Sequence, residues 1–212
     1  MEFLEEQDNS IVISVKFCGA IFEGIVEILG LKGTRDLLQK ANVPFKINNF
    51  YQVDIKDGFT KNQIILLSKT LEKEYGASSG NGILWKIGRS TLHYLIKNFG
   101  NIQIVGSLEQ RMMPFQQKIH SGLEVLAELL MKQAEGNVLV QEKEKKHWDF
   151  SIESDWMCIS GCKVRWCFFI RGLLIEFLEW LDSRRSYAVE ESECTAKGNS
   201  SCVFKIVASA IE

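Results

Sequence analysis

The residues that could carry chemistry are concentrated near the carboxyl terminus, where five of the six cysteines lie between Cys158 and Cys202. Glu191 stands three residues before Cys194, and Cys194 stands eight residues before Cys202. Thiolates and carboxylates bind zinc when their donor atoms converge at about 2.0–2.3 Å from one ion. We interpret Glu191, Cys194 and Cys202, with Cys167 from the preceding helix, as one metal site.

A hairpin is the simplest prediction for this segment, because the β-prone runs Tyr187–Val189 and Cys202–Val207 flank a polar stretch. A hairpin brings its two ends together in space. Residues three apart on a regular strand point to opposite faces. Glu191 and Cys194 can therefore reach one ion only if the strand ends, bulges or turns between them, and Ser192-Glu193 is the place where we expect this.

The pattern Glu-x-x-Cys-x7-Cys, with a cysteine opening an apolar helix about two dozen residues earlier, resembles the vinyl-4-reductase family. This small-molecule-binding fold is related to haem–nitric-oxide-binding domains and to subunits of the TRAPP tethering complexes. It also occurs in sensor domains of bacterial activators that respond to phenols and xylenes. The resemblance, which covers Cys158–Ile206, implies that Cys167, Glu191, Cys194 and Cys202 ligate a structural zinc beside a buried pocket for an aromatic ligand.

Two further residues are candidates for ligand binding. His120 lies near the apolar stripe of a long amphipathic helix, where an imidazole at the rim of a cavity could orient a polar ligand group. The alternative is a core or surface histidine with ordinary partners. Trp148 matches the approximate place where the aromatic sensors present a pocket tryptophan, and its alternative is ordinary core packing.

The other cysteines have several interpretations. Cys158 and Cys162 could be alternative ligands, a redox pair or core thiols, and the family often carries a similar cysteine pair there. Cys18 lies alone in an apolar helix and is predicted to be a core residue.

The elements that must position these residues are predicted from hydrophobic periodicity. The pattern predicts helices over Phe17–Leu29, Arg35–Ala41, Lys61–Tyr75, Ile83–Phe99, Met113–Ala134 and Lys163–Leu181, with strands over Ile11–Val15, Val138–Gln141 and Trp148–Glu153 before the terminal hairpin. The glycine-rich stretch Gly76–Gly82 is predicted to be a flexible loop. Lys163–Leu181 is apolar nearly all round, which indicates burial on most sides. This order predicts an α+β fold: N-terminal helices packed on an antiparallel sheet, a buried central helix and a metal-stapled C-terminal hairpin.

Composition limits the class of protein. The 212 residues are 46% hydrophobic and carry a net charge of −2, which is enough for one buried core and gives no basic surface for nucleic acid. We predict a single domain over residues 1–212, mostly helical over 1–135, with the sheet and metal-binding part over 136–212. No apolar run reaches the roughly 18 residues that a membrane span needs. The acidic amino terminus is neither a secretory signal nor a transit peptide, so the expected compartment is the cytoplasm.

The resemblance implies binding of a small hydrophobic ligand, aromatic or tetrapyrrole-like, in a sensing or carrier role. One alternative is a factor or reductase in bacteriochlorophyll synthesis, although the sequence shows no nicotinamide or flavin fingerprint, and this favours a binding protein over an enzyme. A second alternative is a scaffold or tethering protein without a ligand. A homodimer is expected, with Phe17–Leu29 and Ile83–Phe99 as its surface.

Overall fold

The computed structural model describes residues 11–43, 46–47, 53–54, 58–107, 112–154 and 163–210. The elements of these residues, in chain order, are β1 (Ile11–Ile13), α1 (Val15–Lys40), β2 (Lys46–Ile47), β3 (Val53–Asp54), β4 (Phe59–Thr60), α2 (Lys61–Asn98), α3 (Gly100–Val105), α4 (Phe115–Gln133), β5 (Asn137–Glu144), β6 (His147–Glu153), α5 (Cys167–Leu181), β7 (Arg185–Glu193) and β8 (Cys202–Ala210). β5 to β8 form one antiparallel sheet in the order β5-β6-β8-β7. Two smaller two-stranded sheets pair β1 with β4 and β2 with β3. The predicted α+β class is confirmed.

The two long N-terminal helices are each interrupted by one glycine. In α1, Gly30 has φ +68°, and in α2, Gly76 has φ +77°, a left-handed conformation that glycine adopts at little cost. Thr60 caps α2 in a capping box with Gln63. Thr34 lies inside α1 and donates its hydroxyl proton to the carbonyl of Gly30 at 2.8 Å.

The predicted flexible loop over Gly76–Gly82 was wrong. Only Gly76 leaves the helical region, and the residues after it continue α2 as a helix. Of the other two glycines of this stretch, Gly80 has a packing role, whereas a Cβ at Gly82 would meet nothing within 4 Å. A Cβ at Gly80 would lie 2.7 Å from a methyl group of Val164, so the absent side chain lets α2 approach the chain that enters α5.

Helix α5 lies at the centre of the molecule, as predicted, between α2 and the sheet. A Cβ at Gly88 of α2 would overlap the carbonyl oxygen of Phe169, and a Cβ at Gly172 of α5 would overlap the carbonyl oxygen of Trp85. The two helices therefore cross in direct backbone contact. The helix begins at Cys167 and not at Lys163.

The sheet presents an apolar face to the helices. Trp148, Phe150 and Ile152 of β6 are all buried, as their alternation predicted, and so are Cys202, Phe204 and Ile206 of β8, which pair with them. Helix α4 packs on β5. The metal-ligating candidates on β7 and β8 therefore belong to the same layer as the hydrophobic core.

The apolar helices that suggested a dimer surface are used inside the chain. Phe17 and Ile21 of α1, and Leu84, Ile87 and Leu92 of α2, are fully buried in the single chain. They give no support to a homodimer, which stays a prediction. Among the described residues, no helix has the length and apolar character to cross a bilayer.

Candidate metal centre

The end of β7 contains the irregularity that the ligand spacing required. Glu191 pairs with Phe204 and Glu193 pairs with Val203, so the strand register shifts between Glu191 and Glu193. This β-bulge at Ser192 changes which face the following residue presents. It allows Glu191 and Cys194 to lie on the same side of the hairpin.

A short turn then returns the chain to β8. The carbonyl of Cys194 accepts hydrogen bonds from the backbone amides of Lys197 and Asn199, at 2.9 and 3.3 Å. A single 3₁₀ turn over Thr195–Lys197 ends at Gly198, whose φ of +91° is left-handed. The turn thus places Cys202 opposite Cys194.

The four predicted metal ligands converge in the structure. The ligand atoms of Cys167, Glu191, Cys194 and Cys202 all lie within 4.8 Å of one another. The sulfur atoms of Cys167 and Cys202 are 3.3 Å apart, and all three cysteines are buried. A tetrahedral zinc with Zn–S bonds of about 2.3 Å would separate its ligand atoms by roughly 3.5–3.8 Å. A contraction of about 1 Å in the widest pair therefore gives the geometry of a closed metal site.

Positive charge lies beside this cluster. Arg165 donates a hydrogen bond from Nη1 to the sulfur of Cys194 at 3.7 Å. Cys167 is the first residue of α5, where the helix dipole favours negative charge. Three thiolates and one carboxylate around a divalent ion would carry a formal charge of −2, so both features stabilise an occupied site.

Cys18 has none of these features and is a core residue, as predicted. Its sulfur accepts a hydrogen bond from the backbone amide of Phe59 at 3.1 Å, and burial raises the pKa of the thiol to about 12. Cys158 and Cys162 lie outside the described residues.

Of the two predicted ligand-binding residues, Trp148 lies in the layer between α4 and the β5–β6 hairpin, whereas His120 is a partly exposed residue of α4 whose Nε2 is 3.5 Å from Glu124 Oε1. The ring of Trp148 meets Phe115 of α4 edge-on, with ring centroids 6.0 Å apart. Gln116, one turn from His120 on the same side of α4, accepts a hydrogen bond from the backbone amide of Lys146 in that hairpin. Trp148 Nε1 and His120 Nδ1 are both buried and have no hydrogen-bond partner.

This layer is closely packed at its other end. A small, partly open cavity there is lined mainly by apolar side chains, among them Leu130, Val138, Ile152 and Ile170. Its volume is about 10 Å³, which is room for about one water molecule.

Sequence reasoning missed two polar features. Lys118 and Asp182 form a buried ion pair, Nζ to Oδ2 at 3.3 Å. Arg171 of α5 lines an open groove, and its Nε is buried without a partner. Hydrophobic periodicity predicts neither the ion pair nor the groove arginine, because each depends on which element packs against α5.

Comparison with known proteins finds a shared fold. No protein-family model matches the sequence, and no curated protein matches it. Among solved structures, an H-NOX protein from S. oneidensis in the Fe(II)NO ligation state superposes with a TM-score of 0.64 at 11% identity, covering 93% of this chain and 99% of that one. A mutant of the H-NOX protein from T. tengcongensis gives 0.58 at 13% identity, covering 94% and 100%. At this identity the match establishes the fold alone, which agrees with the predicted relation to haem–nitric-oxide-binding domains.

Proposed function

We propose that this chain, as a single vinyl-4-reductase-type domain over residues 1–212, binds a small aromatic molecule in a sensing or carrier role and is stabilised by zinc. The observation that carries the ligand proposal is the pair of buried, unpartnered ring nitrogens on Trp148 and His120. Leaving a buried donor or acceptor unsatisfied costs about 1–3 kcal/mol. A ligand hydroxyl that accepts from the indole N–H, or that bonds to the imidazole, would remove that cost at the nitrogen it reaches.

The zinc proposal rests on the donor set. Cys167, Cys194 and Cys202 supply three soft sulfur ligands and Glu191 an oxygen, and sulfur-rich tetrahedral sites favour zinc over the oxygen-preferring Mg²⁺ and Ca²⁺. Four protein ligands leave no open position, so the ion would be structural and not catalytic. Its place in the molecule agrees with this role, because it would join the first turn of α5 to both strands of the terminal hairpin.

Haem does not fit the packed layer as the described residues form it. One H-NOX neighbour is in the Fe(II)NO ligation state, but here Trp148, Phe150 and Phe169 are buried in the interior and the small cavity beside Ile170 is about 10 Å³. Sites for drug-sized ligands are typically about 300–1,000 Å³. Neither ligand enters a cavity of this size as it stands, and a small aromatic ligand would displace fewer packed side chains than a tetrapyrrole.

The same packing supports a second candidate, a ligand-free scaffold or tethering protein. In that function Trp148 would be a core residue and the cavity would simply be a small packing defect. The third alternative, a factor or reductase in bacteriochlorophyll synthesis, has no supporting observation among the described residues.

Zinc content tests the metal part of the proposal. Protein purified without chelator should contain about one zinc per chain, and preparations without metal would contradict the site. The number of zinc ions per chain should fall when Cys194 is substituted and should stay unchanged when Cys18 is substituted.

Ligand titrations test the part of the proposal that concerns the aromatic molecule. We expect phenol to bind and the Trp148→Phe variant, which keeps a ring but loses the indole N–H, to bind phenol more weakly. m-Xylene, which has no hydroxyl, should bind both proteins equally. Trp180→Phe, at a more exposed site, is the matched control. If neither phenol, m-xylene nor haemin binds the zinc-loaded protein in titration calorimetry, the scaffold is favoured instead.

A further inference from the structure

A groove on the outer side of α5 is separate from the Trp148 and His120 layer. One concavity of about 370 Å³ lies between α2 and α5, and another of about 310 Å³ lies between α5 and β7. Phe168 and Arg171 line both, so the two concavities adjoin, and we refer to them together as the groove; the second is also lined by Cys167 and Glu191. Each is of the size that small-molecule sites have.

The groove is built from rigid elements. Gly88 and Gly172 bring α2 and α5 into backbone contact, so the larger side chains lie on either side of the crossing. These larger side chains are Trp85 of α2 and Phe168 and Ile175 of α5, all partly exposed. They give the α2 side of the groove two aromatic walls and an aliphatic one.

The arginines around the groove differ in their partners. Arg89 donates to Glu176 and Glu179, at 2.6 and 2.7 Å. Arg165 lies over the Phe168 ring and bonds to Cys194. Arg171 instead has a buried Nε with no hydrogen-bond partner. A guanidinium is always charged and its geometry matches a carboxylate, so an unpartnered Nε in a concavity is suited to an anion.

Charge distinguishes the two sides of the groove. Glu190 and Glu191 line the β7 side and would repel an anionic ligand there. On the α2 side no acidic residue is among the described lining residues. An anion is therefore expected to approach Arg171 from α2, with its apolar part between Trp85 and Phe168.

We propose that this groove is a second binding site, which takes a small planar aromatic carboxylate. The carboxylate accepts hydrogen bonds from Arg171, and the ring packs on Trp85 and Phe168. The site does not depend on the ligand proposed for Trp148, although its far end contacts the metal centre.

The test uses zinc-loaded full-length protein with 2-naphthoate, and 2-naphthalenemethanol as a neutral analogue of similar shape. A hydrogen bond to a charged group contributes about 1.5–3 kcal/mol, so Arg171→Gln should weaken naphthoate binding about tenfold to a hundredfold. The neutral analogue should bind the variant as it binds the wild type. Arg35→Gln, at an exposed position of α1, is the control and should change neither affinity.

A second variant keeps the test independent of Arg171. Trp85→Leu should weaken both compounds, because the wall is lost and the charge is kept, and Trp148→Phe should affect neither. Absence of naphthoate binding to folded, zinc-loaded protein would overturn the proposal, and so would equal binding to Arg171→Gln. A loss of zinc from Arg171→Gln with no change in naphthoate affinity would show instead that Arg171 balances the charge of the metal centre.

Discussion

The two ends of α5 are fastened to the rest of the molecule by different chemistry. At its amino end, Cys167 joins Cys202, Glu191 and Cys194 in a cluster that could hold a metal ion. At its carboxyl end, Asp182 joins Lys118 of α4 in an ion pair that the chain supplies by itself. β7 runs from one end to the other, from Arg185 to Glu193. The same layer is thus anchored by protein charges at one end and, in our proposal, by a metal site at the other.

The carboxyl-end network satisfies its charges almost entirely from within. The Lys118 and Asp182 side chains are 4% and 3% exposed. Arg184 donates from Nε to Asp182 Oδ1 at 3.0 Å, and the Tyr187 hydroxyl donates to the Asp182 carbonyl at 3.3 Å. Burial alone would raise the pKa of the Asp182 carboxyl, but the hydrogen bonds from Arg184 and the ammonium of Lys118 outweigh it and lower the pKa. The comparison teaches that the amino-end anchor would need an ion from solution, whereas the chain itself supplies every charge of the carboxyl-end anchor.

Breaking the amino-end anchor should have the largest effect. Cys194→Ala should lose zinc and a large part of the free energy of unfolding, because apparent metal-binding energies of about 10–16 kcal/mol in zinc-finger peptides are also folding energies. Calorimetry should show a strongly lowered melting temperature, and treatment of the wild type with a chelator should lower it in the same direction. An unchanged melting temperature in Cys194→Ala would mean that Cys194 is not a ligand.

Breaking the carboxyl-end anchor should have the next largest effect on the free energy of unfolding. Lys118→Ala leaves the buried Asp182 carboxylate with Arg184 at 3.0 Å and Arg185 at 3.9 Å, and removing one partner of a buried pair costs about 3–5 kcal/mol. Lys132→Ala is the matched control on the same helix, because Lys132 pairs with Glu128 at 3.3 Å with both side chains about 60% exposed. That exposed pair is worth about 0.3–0.5 kcal/mol. Urea unfolding measures both, and equal effects would contradict the assigned burial.

Acid should weaken the carboxyl-end anchor in a defined direction. The pKa of Asp182 is lowered in the folded protein, so its contribution is present above the unfolded pKa of about 3.9 and is lost as pH falls through the folded pKa. Zinc ligands also protonate in acid, so the useful quantity is the difference in unfolding free energy between wild type and Asp182→Asn. This difference should shrink below about pH 4. A difference that does not change between pH 7 and pH 3 would contradict the lowered pKa.

The sequence allowed more of the amino-end anchor to be predicted than of the carboxyl-end one. The candidate ligands have a distinctive spacing, and the geometric conflict between Glu191 and Cys194 predicted that the strand ends, bulges or turns between them; the structure has a bulge at Ser192. Lys118 carries no comparable signal, because a lysine beside an apolar stripe usually reaches solvent. Its partner, Asp182, is identified only from the packing of the end of α5 against α4.

Glycines were misread for a related reason. A cluster of glycines is typical of a loop, but Gly80 and Gly88 are places where α2 touches Val164 and Phe169. Whether a glycine breaks a helix or permits close packing depends on the partner element. Local sequence does not contain that information, and the groove beside Arg171 was missed because it depends on the same helix crossing.

The smallest effect should come from the cysteine that belongs to neither anchor. Cys18 is buried, and because burial raises the pKa of its thiol to about 12, it stays protonated and weakly nucleophilic near pH 8. Cys18→Ala should keep the full zinc content and lower stability far less than Cys194→Ala. In native protein iodoacetamide should leave Cys18 unmodified, whereas removal of the metal should expose Cys194 and its neighbours to the reagent, as peptide mass spectrometry can measure. Modification of Cys18 before the cluster cysteines in chelated protein would show that the helical part opens more readily than the terminal hairpin, and would contradict the proposed dependence of the hairpin on the metal.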